Sequence, residues 1–218
     1  MQARLASETD IEGFREETRL LLAQQVPPDE VHWTAHAQNS EQFADVATGP
    51  KRPEAPRPAS SIVPASFQRL CDVVVLHHDP ERFALLYRLI WRLVYEPDLR
   101  NNSIDTDMQH AQQMGQSVRR DLHKMKSSLR FRPVTDELGC LRQMAWFEPA
   151  HRIVETVAPW FAQRWPDQAW VIFTPERSVE CDGKLLHFGQ GVARDAMPSG
   201  DADDAAWHAC YLGWSANR

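Results

Sequence analysis

Three groups of residues have types and spacing that could support chemistry. Glu148-Pro149-Ala150-His151 places a carboxylate three residues before an imidazole. On a helix that spacing sets the two on one face, as a general acid/base pair or half of a carboxylate-bridged di-iron site requires. The sequence holds no second Glu-x-x-His. Pro149 also places Glu148 at the entrance of the following helix, where a carboxylate would complement the positive end of the helix dipole. His77-His78-Asp79 offers three metal-ligating residue types. Adjacent histidines point in different directions, however, and Asp79 before Pro80 fits a helix N-cap, so no metal site is expected. The third group is basic. Arg119, His123, Lys126 and Arg130 recur every three or four residues, flanked by Arg120 and Lys124 and followed by Arg132. From Ser117 to Arg132 there are six Lys or Arg residues against one acid, Asp121, whereas the whole chain carries a net charge of −6. A one-sided basic helix on an acidic chain is the footprint expected of contact with DNA phosphates, the competing reading being a solvated face.

The element that must position the basic residues runs from Ile104 to Arg132. Ile104, Met108, Ala111, Gly115, Val118, Leu122, Met125 and Leu129 alternate steps of four and three, which predicts a long helix with one narrow buried seam. Ala111 and Gly115 leave that seam nearly bare, so a neighbouring helix could approach closely, or a protein partner could dock there. Before it, Thr9-x-x-Glu12 predicts a capped first helix ending at Val26-Pro27-Pro28. Val31-His32-Trp33 predicts a short edge strand. Residues 48–64 hold five prolines and almost no bulky apolar side chain, which reads as a linker or long loop between residues 1–47 and a main domain over 65–218. A second helix opens at Pro64. The third, Arg82 to Val94, is apolar on nearly all sides except for a polar line of Glu81, Arg88 and Arg92, and should be the buried centre, Trp91 included.

Past residue 129 the period changes. Residues 129–134 and 141–147 flank a turn and predict a hairpin. His151 to Trp165 predicts a helix with Ile153, Val154, Val157, Phe161, Ala162 and Trp165 inward and a kink or break at Pro159. Three short strands follow, 169–174, 178–181 and 184–188, the last two joined by Asp182-Gly183, and a final helix covers about 203–214. The expected class is α+β: helices first, then a small antiparallel sheet with one inserted helix and a C-terminal helix.

With 218 residues, 43% hydrophobic content, eight Trp and nine Phe, the chain can build a substantial core. Most aromatics fall on inward faces; Trp33 and Trp214 are the two expected to be exposed. A pI near 5.8 excludes a polybasic, histone-like protein, so nucleic-acid contact must be local. The four cysteines are scattered without a Cys-x-x-Cys and read as reduced, mostly buried thiols. No apolar run could span a bilayer, no membrane contact is expected, and the start lacks an apolar signal segment, which makes the cytoplasm the expected location. Phosphate-loop and nucleophile-elbow motifs are missing, and no cofactor is expected.

Several strings together carry a resemblance: HHDPERFALLYRLIWRL, SVRRDLHKMKSSLRFR, AWFEPAHRIVETVAPWFAQRW, and WVIFTPERSV followed by the spaced Asp-Gly and Phe-Gly pairs. They resemble a bacterial family of unknown function labelled "probable DNA metabolism protein". Its members occur fused ahead of a uracil-DNA glycosylase-like domain or encoded beside a putative DNA-repair radical-SAM protein. Members usually carry an aromatic near Ser128 and a basic tail beyond the last helix, where this sequence reads GWSANR. The resemblance implies a DNA-repair setting and brings no catalytic residues with it. Joined to the basic helix, it leads to an accessory DNA-binding module, more readily non-catalytic than an enzyme. One alternative is an enzyme on damaged bases with Glu148 and His151 as acid and base. The other is a protein-interaction scaffold.

Overall fold

The computed structural model describes residues 1–36, 63–96, 98, 99, 102 and 104–216, together with the backbone of 42–45. The Pro-rich stretch lies outside the described residues apart from Val63 and Pro64. Contacts divide the chain into two compact units, residues 1–38 with 54–120 and residues 39–53 with 121–218. The class is α+β, as the periodicity predicts.

The first unit begins with β1 (Gln2–Leu5), α1 (Ile11–Ala23) and β2 (His32–Ala35), the two strands pairing in parallel. The cap of α1 falls one residue later than the Thr9 box implies. Asp10 accepts the Gly13 N–H at 2.8 Å and the Ala6 N–H at 3.0 Å, so one carboxylate caps the helix and ties down the turn from β1. Next come α2 (Ala65–Val74), α3 (Arg82–Tyr95) and α4 (Thr106–Ser128), which runs on into the second unit. Leu5, Phe14, Phe67, Leu70, Val74, Phe83, Leu86, Leu89, Leu93, Ala111 and Met114 form one core. Trp33, expected at the surface, is half-buried and packs against Phe14, Phe83 and Tyr87. Along α3, Leu86, Tyr87 and Leu89 are fully buried, whereas Trp91 is half-buried. The least foreseeable core member is Arg82, 1% exposed. Its guanidinium donates to the carbonyls of Val75, Asp79 and Glu8 and to the Glu8 carboxylate.

The second unit is a six-stranded sheet in the order β3-β8-β7-β6-β5-β4. Its strands are β3 (Gln42–Asp45), β4 (Arg132–Thr135), β5 (Leu141–Trp146), β6 (Trp170–Phe173), β7 (Arg177–Cys181) and β8 (Leu185–Gln190). Neighbours run antiparallel except β5 and β6. Those two are joined by α5 (Val154–Arg164), a crossover that returns the chain to the starting edge and so makes them parallel, which corrects the expectation of a wholly antiparallel sheet. α5 passes unbroken through Pro159, where a kink or break was expected. Only the ladder bond to the carbonyl of Glu155, in the first turn, is forgone there. On β6, Val171 and Phe173 meet Trp207 and Trp214 of α6 (Asp204–Ser215), while Trp170 faces Phe161 of α5. Trp214, also expected to be exposed, is buried, its indole N–H donating to the Gln190 carbonyl at 2.8 Å.

Candidate nucleic-acid interface

α4 holds its basic residues in place through its opposite, apolar side. Ala111, Met114, Gly115, Val118 and Met125 are buried, as is Leu129 just past its end. Ile104, counted in the seam, precedes the helix and is 77% exposed. The bare stretch has a use. A Cβ built on Gly115 would lie 2.7 Å from Leu70 Cδ1 of α2, so a side chain there would make Leu70 shift, and α2 occupies this part of the groove.

With the apolar side fixed, Arg119, Arg120, His123, Lys124, Lys126 and Arg130 are all exposed. The single acid of the stretch is not among them. Asp121 is buried and its carboxylate accepts the His151 N–H at 3.0 Å, so it contributes little to the solvent-facing charge. Elsewhere Arg88, Arg92, Arg132, Arg142 and Arg177 each pair with a carboxylate. Among the described residues Arg119, Arg120, Lys124, Lys126 and Arg130 have no such partner. Arg130 is partly engaged, because its guanidinium donates to the carbonyls of Ser127 and Leu129 and closes the C-terminal end of α4. Arg132 is engaged more fully, bonding to the Gly200 carbonyl and to Asp204 at the start of α6.

Two of the exposed lysines lie over aromatic rings. Lys124 Nζ is 5.8 Å from the centroid of Phe147, and Lys126 Nζ is 5.3 Å from that of Trp160 on α5. Trp160 is 37% exposed. The helical pattern contains the signal for it, since Trp160 falls outside the inward set of that helix while Phe161 and Trp165 fall within it.

The remaining candidates are placed differently from the pattern. α5 starts at Val154, so Glu148 and His151 lie in the connection after β5 rather than on a helix, and Glu148 is not at the helix entrance. Their three-residue spacing therefore puts them on no shared helical face. Glu148 is exposed and His151 buried. Near the start of α5 it is Glu155 that supplies negative charge, and it pairs with Arg177. In the first unit His77 Nδ1 accepts the Asp79 N–H at 3.1 Å and its ring stacks on His78. Asp79 does not cap α3 directly; it accepts the Glu81 N–H in a turn one residue before the helix.

No helix among the described residues is long and apolar enough to cross a membrane. No curated protein and no solved structure matches the chain. A family model does match, over residues 80–211, a span that takes in the third helix, the basic helix and nearly all of the sheet. The chain thus belongs to DUF4130, a family defined by a domain of unknown function.

Proposed function

We propose that this protein is an accessory nucleic-acid-binding module of DNA metabolism, which grips the phosphate backbone through α4. The observation that carries the reading is the state of its cations. An acidic chain leaves Arg119, Arg120, Lys124 and Lys126 exposed and, among the described residues, without carboxylate partners, and buries the one acid of that stretch. Such residues hold phosphates without reading bases, and each contact gains free energy by releasing condensed counterions. Arg130 adds to the field from the end of the helix, and His123 lies on the same stripe. Arg132 is taken up by Asp204 and contributes least.

The setting comes from the resemblance to the "probable DNA metabolism protein" strings. In this reading the module works in the cytoplasm beside a uracil-DNA glycosylase-like or radical-SAM partner, which performs the chemistry while the module supplies the hold on DNA. The test is fluorescence anisotropy with labelled oligonucleotides of unrelated sequence at several salt concentrations. Binding should be similar across sequences and weaken steeply as salt rises. Absence of binding to any oligonucleotide at low salt would overturn the reading.

A further inference from the structure

Phosphate contacts alone do not distinguish a duplex from a single strand, but the surroundings of Lys126 do. Its ammonium lies over Trp160, a large aromatic that the fold leaves 37% exposed although Phe161 and Trp165 beside it are turned inward. Trp160 keeps its place by an edge-on contact with Phe161, ring centroids 5.0 Å apart and planes at 80°. One turn further along α5, Arg164 is exposed and has no carboxylate partner among the described residues. Its guanidinium carbon lies 6.0 Å from the centroid of Trp165, and its place four residues after Trp160 puts it on the same face of α5, so the second unit brings a cation from α4 and a cation from α5 to the surface that carries the indole.

We infer that this surface takes a single-stranded nucleic acid, with a base stacked on Trp160 and the adjoining phosphates on Lys126 and Arg164. The inference rests on the proposed phosphate-binding function and narrows it. Charge complementarity selects a polyanion, and the exposed ring selects one that has free π-faces. Single-strand binders combine a basic track with aromatic platforms because every base can stack, whatever its identity. The lysine now over the ring would move to a phosphate as the base arrives. That exchange is favourable because a base stack is the stronger contact of the two. A duplex offers no such face, its bases being stacked on one another, and would have to be opened first.

The experiment compares three labelled ligands of equal length on the full chain: oligothymidylate, an abasic strand with the same phosphates, and a mixed-sequence duplex. The wild type should hold oligothymidylate about tenfold or more tighter than the abasic strand, the size of one lost stack. Trp160→Leu should lose that margin and bind both equally, with its melting temperature checked in parallel, and Trp160→Phe should keep most of it. Equal affinity of the wild type for oligothymidylate and the abasic strand overturns the inference but leaves the phosphate reading standing. So does a Trp160→Leu variant that is folded and unchanged. Failure of the wild type to bind any of the three at low salt removes the phosphate reading itself and this inference with it.

Discussion

Replacing Arg82 by methionine tests how the first unit is held together. The side chain is 1% exposed and makes four charge-assisted hydrogen bonds: 2.7 Å to the Val75 carbonyl, 2.9 Å to Asp79, and 2.7 Å and 2.5 Å to the carbonyl and carboxylate of Glu8. They join the segment before α1 to the connection between α2 and α3. Methionine keeps the stem volume and removes every donor. Breaking a buried pair by deleting one partner costs about 3–5 kcal/mol, and an orphaned buried acceptor about 1–3 kcal/mol. Two effects lower the sum. The Glu8 side chain is 36% exposed and can rehydrate, and removing the guanidinium returns the cost of burying it. The net expectation is about 3 kcal/mol, which for a chain of this size lowers the melting temperature by roughly 6–12 °C. Glu8→Gln keeps the backbone carbonyls and should cost about 1 kcal/mol or less. Urea and thermal unfolding of the two variants measure both quantities. A loss below about 1 kcal/mol for Arg82→Met, or a Glu8→Gln variant as damaged as Arg82→Met, would refute the reasoning.

Gly191 should tolerate no side chain. A Cβ there would lie 1.9 Å from the Pro175 carbonyl oxygen, a backbone atom that cannot swing away, so Gly191→Ala should cost about 2 kcal/mol or more in urea unfolding. The turn at Asp182 should make stability acid-sensitive. Burial raises its pKa, but the N–H of Leu185, the His187 ring and the N–H of Lys184 outweigh that and hold it at about 2, below the usual 3.8. A depressed carboxylate stabilises the fold fully above its unfolded pKa, and that contribution is lost as pH falls from about 4 to about 2. Unfolding followed across that window should show a shallower loss for Asp182→Asn than for the wild type, and parallel curves would contradict the assignment.

Much of the fold is legible in the sequence where one signal dominates. The seam of α4, the Asp182-Gly183 hairpin with Gly183 at φ +95°, and the cap of α6 by Asp203 all follow from local chemistry. What escapes is set by tertiary context. The segment Gln2–Leu5 is too short and mixed to read as a strand until β2 pairs with it. The parallel run of β5 and β6 leaves no local mark, because it depends on where α5 returns the chain. Arg82 looks like a solvated charge at a helix start until four acceptors surround it. Trp91 and Trp33 show the converse, since the pattern puts one in the buried centre and the other at the surface while packing places both at the half-buried margin of the core. At the candidate site the charge pattern was readable, but which cations are already paired was not. Arg132 and Lys126 look alike in the sequence, and only the fold gives Asp204 to one and Trp160 to the other.

If the α4 cations that lack a carboxylate partner among the described residues hold phosphates, the most direct measurement is the salt slope of oligothymidylate binding. Each phosphate contact on a single strand contributes about 0.7 to the slope of log K against log[salt]. Arg119→Ala combined with Lys126→Ala should therefore weaken binding and flatten the slope by about 1.4. Arg88→Ala, which removes a cation already paired with Asp107 at 2.9 Å, should leave the slope as it is. An unchanged slope in the double variant, or an equal flattening by Arg88→Ala, would mean that α4 presents only a solvated face.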